Sequence, residues 1–246
     1  MRVVGVIPAR YASTRLPGKP LRDILGKPMI QHVYENASRS MRLSDLVVAT
    51  DDERIMAAVA SFGGRAMMTS RDHSTGTDRV AEVVRGLEAG IVVNIQGDEP
   101  FVHPGMIDEA VQPLLDDPTL PMCTLMHAIG DPADYANPNV VKVVVNLAGN
   151  ALYFSRSLIP YPRKAEGHAA FEHIGMYAYT KDFLLTCARL PQTPLEKLES
   201  LEQLRVLEHG YRLRVIETRQ DYVPLSVDTT EDLERARELA RARQAR

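Results

Sequence analysis

The chain has 246 residues, 45% of them hydrophobic, which is enough for one large α/β domain with a sizeable core. Its 29 basic and 32 acidic residues leave a net charge of −3, so the composition argues against a nucleic-acid-binding protein. No apolar run approaches the ~18 residues of a membrane span, and the first run is too short for a signal peptide. The two cysteines, Cys123 and Cys187, are expected to be buried and reduced. We therefore predict a soluble, cytoplasmic protein.

The first half of the chain alternates apolar runs with helical patterns. Four runs are typical of buried strands, at residues 3–7, 45–52, 65–70 and 91–100. Helical patterns follow them at residues 28–40, 53–64, 76–90 and 105–117. Strands that alternate with helices in this way predict βαβ units and a parallel sheet covered on both faces.

The pattern changes after about residue 117. Two apolar runs, residues 140–146 and 151–157, flank the turn sequence LAGN and predict a hairpin. Residues 173–180 and 211–218 are typical of further strands, and residues 194–210 and 229–246 of helices. We predict one α/β domain over residues 1–246 with a mixed sheet. An inserted antiparallel portion, at about residues 131–189, is also a candidate subunit contact.

A cationic loop follows the first predicted strand. The sequence IPARYASTRLPGKP carries Arg10, Arg15 and Lys19 among small residues and three prolines. Ligands of parallel α/β sheets bind at the carboxyl ends of the strands, which is where this loop begins. The loop has neither the P-loop spacing nor the G-x-G-x-x-G spacing. A cationic cradle for phosphate groups and a solvated basic loop both fit this composition.

Two aspartates follow apolar, β-type runs. Asp98 comes after IVVNIQG, and Asp228 comes after YVPLSV. Loops at one edge of a sheet can bring these side chains together, and two carboxylates that share space repel each other unless a cation lies between them. Mg²⁺, which prefers oxygen ligands, is a candidate for that cation. A turn-capping role is the alternative for Asp98.

Nine stretches of the sequence, in order and spacing, resemble the CMP-Kdo synthetase family (3-deoxy-manno-octulosonate cytidylyltransferases). The first is IPARYASTRLPGKPL. The others are VATDD, DHSTGTDR, VNIQGDEP, VKVVV, ALYFSRSLIPYPR, HIGMYAY, SLEQLRVLEHG and VDTTEDLERAR. The resemblance covers essentially the whole chain, from Met1 to about Arg237.

The resemblance implies a Rossmann-like nucleotidyltransferase fold, a homodimer and a requirement for Mg²⁺. The reaction it implies joins CTP to the acid sugar Kdo and gives CMP-Kdo and pyrophosphate, for lipopolysaccharide or capsule synthesis. Two alternatives stay open. One is a cytidylyltransferase for another acid sugar, such as sialic acid or an 8-amino Kdo analogue, and the other is a non-catalytic nucleotide-binding protein.

The resemblance also implies roles for individual residues. The nucleotide ligands are Ala9, Arg10, Ser13, Arg15, Lys19, Arg71, Ser74, Gly76 and Asp98. The sugar ligands are Gln96, Arg156, His173, Tyr177, Glu202 and Gln203, with Arg156 on the sugar carboxylate. Asp98 and Asp228 hold the metal, and Arg10, Lys19, Asp98 and Asp228 carry catalysis.

Simpler interpretations exist for several of these residues. Thr75 or Thr77 predicts a helix cap within DHSTGTDR, and a lone histidine such as His173 is more often structural than functional. In the helical pattern at residues 194–210, a stripe of leucines is expected in the core: Leu198, Leu201, Leu204 and Leu207. Three residues depart from the family pattern: Glu172 replaces a basic residue, Ser226 a glycine and Thr230 a frequent proline.

Overall fold

The computed structural model describes residues 1–13, 15–73, 75–164 and 167–244. The chain forms two compact units. The first unit comprises Met1–Asp108 and Gln220–Arg246, and the second comprises Glu109–Arg219. The predicted inserted portion, residues 131–189, lies within the second unit, while the single domain over the whole chain stays a prediction.

Strands and helices alternate along most of the described chain. The strands are β1 (Val3–Ala9), β2 (Asp23–Ile24), β3 (Lys27–Pro28), β4 (Asp45–Thr50), β5 (Ala66–Met68), β6 (Ile91–Asn94), β7 (Met122–Ala128), β8 (Lys142–Val145), β9 (Ala151–Ser155), β10 (Phe171–Thr180) and β11 (Arg214–Glu217). The α-helices are α1 (Met29–Ala37), α2 (Glu53–Ser61), α3 (Gly76–Arg85), α4 (Pro104–Asp116), α5 (Lys181–Cys187), α6 (Pro194–Glu199), α7 (Gln203–Glu208) and α8 (Thr230–Gln244). Short 3₁₀ helices cover Lys19–Leu21 and Pro132–Tyr135.

A parallel sheet forms the centre of the first unit. Its strands lie in the order β6–β1–β4–β5, and every neighbouring pair is parallel. All four residues of β6 and nearly all of β1 and β4 are buried, which explains why these strands are continuous apolar runs rather than alternating ones. The predicted parallel sheet and its βαβ order are confirmed, and the carboxyl ends of the four strands share one edge.

Side-chain caps fix where the helices behind these strands begin. The amide of Asp78 donates to Thr75 Oγ1 at 3.1 Å at the start of α3. Of the two predicted caps, Thr75 and Thr77, the structure therefore selects Thr75. At α2 the amide of Arg54 donates to Asp52 Oδ1 at 2.9 Å. Such caps satisfy amides that the first helical turn leaves without partners. They also fix where the loops between strands and helices end.

The second unit is mostly antiparallel. Strand β7 pairs antiparallel with β10 and parallel with β11, while β8 pairs antiparallel with β9 and β10. The hairpin of β8 and β9 is confirmed. Strand β7 is absent from the sequence prediction, since a short apolar run without alternation cannot be told from other buried segments by periodicity. With the parallel sheet of the first unit, this arrangement confirms the predicted α/β class with an antiparallel portion.

The prediction of one long helix over residues 194–210 is wrong. The backbone turns left-handed at Ser200, with φ of 52°, and the chain forms the separate helices α6 and α7. The break resets the helical phase, so Leu201 and Leu204 are buried while Leu198 is 81% exposed. Leu198 therefore does not belong to the predicted core stripe.

Both cysteines match their prediction, because Cys123 and Cys187 are buried and free. Burial raises the pKa of each thiol to about 12, which keeps both protonated and unreactive at neutral pH. Among the helices of the described ranges, none has the length and apolarity needed to cross a bilayer.

Candidate active site

The opening loop is anchored by its apolar residues. Leu16 is buried in a cluster with Val227 and Leu233 from the C-terminal part of the chain. Gly18 takes a left-handed conformation, with φ of 66°, and its amide donates to Tyr11 O at 3.1 Å. Since the backbone is fixed in this way, the loop presents its cationic side chains from a defined position. They lie at the carboxyl end of β1.

The loop after β6 passes very close to β1. A Cβ atom at Gly97 would lie 2.6 Å from the carbonyl oxygen of Pro8, a separation that no side chain tolerates. Gly97 is therefore needed for space, and not for a left-handed turn. The close approach brings Gln96 and Asp98 beside the opening loop.

A backbone hydrogen bond joins the segment that precedes Asp228 to Asp98, and these are the two aspartates predicted to share a cation. The amide of Val227 donates to the carbonyl oxygen of Asp98 at 2.9 Å. Residues 222–227, which the sequence suggested as a β-type run, form no strand. This single bond and the burial of Val227 bring Asp228 to the loop that follows β6.

Lys19 lies between these two carboxylates. Its Nζ is 2.7 Å from Asp98 Oδ2 and 2.9 Å from Asp228 Oδ1, and Arg15 Nη2 is 3.1 Å from Asp228 Oδ2. Burial alone would lower the pKa of Lys19, but the carboxylates of Asp98 and Asp228 outweigh it and raise that pKa. In this structure the cation between the two aspartates is the ammonium group of Lys19.

A cavity of about 360 Å³ opens over this cluster. Nine of the predicted site residues line it, and they come from the opening loop, α3, the loop after β6 and the segment before α8: Ala9, Arg10, Ser13, Arg15, Lys19, Gly76, Gln96, Asp98 and Asp228. Three of its cations come from one loop, which makes the cavity suited to a ligand with several phosphate groups. The specific role of each lining residue stays a prediction.

Two predicted nucleotide ligands are not among these residues. Arg71 is absent from the cavity lining, and its Nε donates to the carbonyl oxygen of Asp51 at 3.4 Å. Ser74 lies outside the described residues. The neighbouring Gly76, at the first position of α3, does line the cavity.

Arg79 lines the cavity, and the sequence analysis missed it. Its guanidinium is buried, and Nη2 donates to Asp51 Oδ2 at 2.8 Å. A cation near the amino end of a helix opposes the helix dipole, so Arg79 in the first turns of α3 needed a reason beyond helix formation. That position within DHSTGTDR is the signal by which Arg79 could have been found.

His73 is a second lining residue that was missed. Its Nε2 contacts Glu82 Oε2, which also accepts the amide of Ser70 at 3.0 Å. Burial would raise the pKa of Glu82, but the His73 ring and the Ser70 amide lower it. One carboxylate on α3 thus holds both the beginning and the end of the loop at residues 70–73.

In the second unit, His173 is part of a neutral hydrogen-bonded chain. Thr124 Oγ1 donates its one proton to the carbonyl oxygen of Met176 at 2.7 Å, and the carbonyl oxygen of Ile174 lies 3.1 Å away. Its remaining contact, His173 Nε2 at 2.9 Å, must then be a donor to the threonine oxygen. His173 Nδ1 is left to accept from Gln203 Nε2 at 3.4 Å.

Burial keeps this group uncharged. It lowers the pKa of His173 to about 3, and burial followed by the charge of Glu202 raises the pKa of Tyr177. The His173 ring lies 4.8 Å from the Phe154 ring and 5.4 Å from the Tyr177 ring. Four of the predicted sugar ligands, His173, Tyr177, Glu202 and Gln203, therefore belong to one region of the second unit, and their contact with a sugar stays a prediction.

Arg156 is held by backbone groups of the second unit. Its Nε donates to the carbonyl oxygen of Glu199 at 2.7 Å, and its Nη1 donates to that of Pro138 at 2.8 Å. Its Nη2 lies 3.4 Å from the carbonyl oxygen of Ser200. These bonds fix the end of α6 and the turn that leads to α7. Glu202 immediately precedes α7, and Gln203 is its first residue. Binding of a sugar carboxylate by Arg156 stays a prediction.

Glu172, which departs from the family pattern, is half-buried among titratable groups. Its Oε1 is 3.5 Å from His127 Nδ1 on β7, and it lies in register with Lys142 on β8. Burial, followed by the charge of Asp134, raises the pKa of Glu172 to about 7. This carboxyl group consequently titrates near neutral pH.

Comparisons with known proteins agree with these features. Residues 4–218 match the model of a protein family described as Cytidylyltransferase. A 3-deoxy-manno-octulosonate cytidylyltransferase of Geotalea uraniireducens is 53% identical over 249 residues, covering 97% of this chain and 98% of the relative. The enzyme of that name from Syntrophotalea carbinolica is 54% identical over 96% of this chain and 97% of its own length.

Solved structures show the same relationship. A CMP:2-keto-3-deoxy-manno-octonic acid synthetase complexed with CTP is 50% identical and has a TM-score of 0.95, covering 99% of this chain and 100% of the other. A cytidylyltransferase from Leptospira borgpetersenii, at 17% identity and a TM-score of 0.65, shares the fold. The predicted nucleotidyltransferase fold is thereby confirmed. The chain belongs to the cytidylyltransferase family and, within it, to the 3-deoxy-manno-octulosonate cytidylyltransferases.

Proposed function

We propose that this protein transfers the cytidylyl group of CTP to the anomeric hydroxyl of Kdo and releases pyrophosphate. The observation that carries the proposal is the cavity at the carboxyl end of β1, where three cations of one loop meet two carboxylates. The relatives' names and the structure complexed with CTP support the same reaction.

In the reaction, the sugar oxygen attacks the α-phosphorus of CTP in line with the departing pyrophosphate. A bond forms between that oxygen and phosphorus, the bond from the α-phosphorus to the bridging oxygen breaks, and the hydroxyl proton is released to water. Such transfers depend on positioning and on neutralising charge more than on covalent catalysis. Arg10, Arg15 and Lys19 bind the triphosphate and stabilise the charge that develops on pyrophosphate.

A divalent metal is part of the proposal. Asp98 and Asp228 supply carboxylate oxygens, the ligands that Mg²⁺ prefers, and Mg²⁺ commonly takes one or two carboxylates together with substrate phosphates. Asp98 and Asp228 both line the cavity, so these two carboxylates are the ligands assigned to the metal. When bound, Mg²⁺ supplies Lewis-acid polarisation of the phosphate oxygens.

The side of the cavity that binds the cytosine of CTP is assigned to α3 and the loop before it. Gly76, at the start of α3, exposes backbone without a side chain, and His73 is fixed by Glu82. Gln96, which lines the cavity of the first unit, is assigned to the sugar. Arg156, His173, Tyr177, Glu202 and Gln203 of the second unit are assigned as sugar ligands from the family resemblance alone. Both ring nitrogens of His173 already have partners, so its assigned role is to shape the sugar site, not to remove a proton.

The proposal includes a homodimer and a cytoplasmic location. Leu147, Leu152 and Tyr161 of the inserted portion are large apolar side chains exposed on the single chain, which supports a subunit contact there. Buried, free cysteines suit a reducing compartment. Light scattering should give twice the mass of one chain, and a monomer at micromolar concentration would contradict the dimer.

The reaction is tested by incubating the purified protein with CTP, Mg²⁺ and one acid sugar at a time. Pyrophosphate release and the mass of the product are measured with Kdo, its 8-amino analogue and sialic acid. We expect CMP-Kdo as the main product. Faster turnover of either other sugar would reassign the substrate, and CTP binding by calorimetry without pyrophosphate release would indicate a non-catalytic nucleotide-binding protein.

A further inference from the structure

Lys19 occupies the position between the two carboxylates to which the proposed function assigns the metal. Its ammonium donates to both Asp98 and Asp228, and the side chain is only 16% exposed. With Arg15 on the other oxygen of Asp228, two positive side chains offset two negative ones. The four charges of this cluster therefore balance, and Arg10 adds one further positive charge to the cavity lining.

We propose that Lys19 is a displaceable cation that competes with the divalent metal for Asp98 and Asp228. The inference rests on the proposed function, because it takes the triphosphate of the nucleotide as the group that draws Lys19 away. A divalent ion that joined the balanced cluster would meet two cations within a half-buried site, where like charges repel strongly. With the nucleotide present, the phosphate oxygens provide a second set of anions for Lys19, and the carboxylates become available to the metal.

The loop permits such an exchange without moving its backbone. The amide of Lys19 donates to Leu16 O at 3.1 Å, and that of Leu21 donates to Gly18 O at 2.9 Å. Leu16 and Pro20 on either side are buried. Only the four-carbon side chain of Lys19 has to change its dihedral angles, and a lysine ammonium on such a stem is a mobile point charge.

The exchange also reconciles two roles of one residue. Lys19 is assigned to the triphosphate, whereas in the structure it is bound to the carboxylates. Both hold if the nucleotide and the metal enter together, with the ammonium moving from carboxylate to phosphate as they bind. Metal binding would then depend on the nucleotide, and would be weak in its absence.

The test measures Mn²⁺ binding to the full-length protein without nucleotide, by the electron paramagnetic resonance signal of free Mn²⁺. We expect wild type to bind Mn²⁺ weakly, and Lys19→Met to bind it at least about tenfold more tightly, because the competing ammonium is gone. Lys27→Met is the matched control, since Lys27 also forms an ion pair, with Glu35 at 2.7 Å, but does not line the cavity. Its Mn²⁺ affinity should equal that of wild type.

Two further variants keep the outcome decisive. Lys19→Gln retains amide donors for the carboxylates, and should also increase Mn²⁺ affinity if Lys19→Met fails to fold in a thermal melt. Lys19→Arg keeps the charge and should bind Mn²⁺ as weakly as wild type. Equal nucleotide-free affinities in wild type and the neutral variants would overturn competition by Lys19. Absence of CTP binding to wild type in a separate calorimetric titration would instead overturn the proposed function, and the nucleotide-free comparison does not depend on it.

Discussion

Two polar clusters of this protein are stabilised in opposite ways. In the first unit, Lys19, Asp98 and Asp228 are held by full charges in a site that opens into a cavity. In the second unit, His173 and Gln203 are neutral. They are held by hydrogen bonds that involve both nitrogens of the imidazole ring. The ions of the first cluster are partly buried but open into the cavity, so their partners can be exchanged for those of a charged ligand. A buried neutral network is costly to open and therefore serves to fix shape.

The largest effect is expected from removing one charge of the first cluster. Asp228→Asn keeps the shape of the side chain but cannot balance Lys19 or bind a metal ion as a carboxylate does. We expect turnover to fall by more than about 100-fold, because even groups that only support metal ligands are worth 10–100-fold. The hydrogen bond from the Val227 amide to the Asp98 carbonyl oxygen does not involve the Asp228 side chain, so the thermal melt should show an intact fold.

The Asp228→Asn comparison is made across a Mg²⁺ titration, with Asp221→Asn as the control. Asp221 is an exposed aspartate in the segment before α8 and does not line the cavity. Its variant should retain parental turnover. A folded Asp228→Asn enzyme with the parental rate and the parental Mg²⁺ dependence would remove Asp228 from the metal site.

Arg156 tests whether the second unit also holds an exchangeable charge. Arg156→Ala should raise the apparent Michaelis constant for Kdo far more than that for CTP. It should also lower the free energy of unfolding, because a charged hydrogen bond is worth roughly 1.5–3 kcal/mol and the guanidinium donates to backbone carbonyls of Pro138 and Glu199. Kinetics with each substrate varied in turn, and urea unfolding, measure the two effects.

Arg156→Lys separates these effects, because lysine keeps the charge but not the fork of donors. Partial recovery of the Kdo constant with continued loss of stability would support both roles. Equal changes in the constants for Kdo and CTP would leave Arg156 with the structural role alone.

Sequence patterns were sufficient where a local rule decides the structure. The parallel strands, the Thr75 cap and the hairpin of β8 and β9 each follow from periodicity, capping preference or turn residues. The break at Ser200 does not, because nothing in PLEKLESLEQLRVLEHG marks a left-handed residue. Tertiary packing there overrides helix propensity.

The candidate site shows the same division. The three cations at the end of a buried strand fitted either a phosphate cradle or a solvated loop, and the resemblance to the CMP-Kdo synthetase family favoured the cradle. Asp98 and Asp228 are brought together by long-range hydrogen bonds, from the Val227 amide to Asp98 and from Lys19 to both carboxylates. The absence of a side chain at Gly97 allows the close approach. Contacts between residues so distant along the chain have no local pattern, so that sequence reasoning proposed the pair but not Lys19 between them.

A smaller effect is expected within the neutral cluster. Thr124→Val preserves the shape of the side chain but leaves His173 Nε2–H and the carbonyl of Met176 without their partner. An unsatisfied buried donor costs roughly 1–3 kcal/mol, so the free energy of unfolding should fall by that amount. The urea midpoint should fall with it. Thr124→Ser, which keeps the hydroxyl, should lose less. Equal stability of the valine variant and wild type would show that the hydrogen-bonded chain does not fix His173.

The smallest effect, and the one that depends on pH, is expected at Glu172. Its pKa is raised from 4.5 to about 7 in the folded protein, so the folded state holds the proton more tightly than the unfolded state. The resulting stability is fully present below about pH 4.5 and is lost as the pH rises through 7, with a slope of at most about 1.4 kcal/mol per pH unit. Glu172→Gln mimics the protonated form. The stability of the variant relative to wild type should therefore increase from pH 5 to pH 8.

His173 titrates in the opposite sense over part of this range, which decides how the experiment at Glu172 is read. Its pKa is lowered from 6.5 to about 3 by burial, so its contribution to stability is present above pH 6.5 and is lost as the pH falls toward 3. His173 contributes equally to wild type and to Glu172→Gln, so the difference between their unfolding free energies isolates Glu172.

Urea unfolding at pH 5, 6, 7 and 8 and constant ionic strength measures that difference. The groups around Glu172, namely His127, Asp134 and Lys142, are unchanged in the variant. A difference that stays constant across the four pH values would show that Glu172 is already ionised in the folded protein at pH 5.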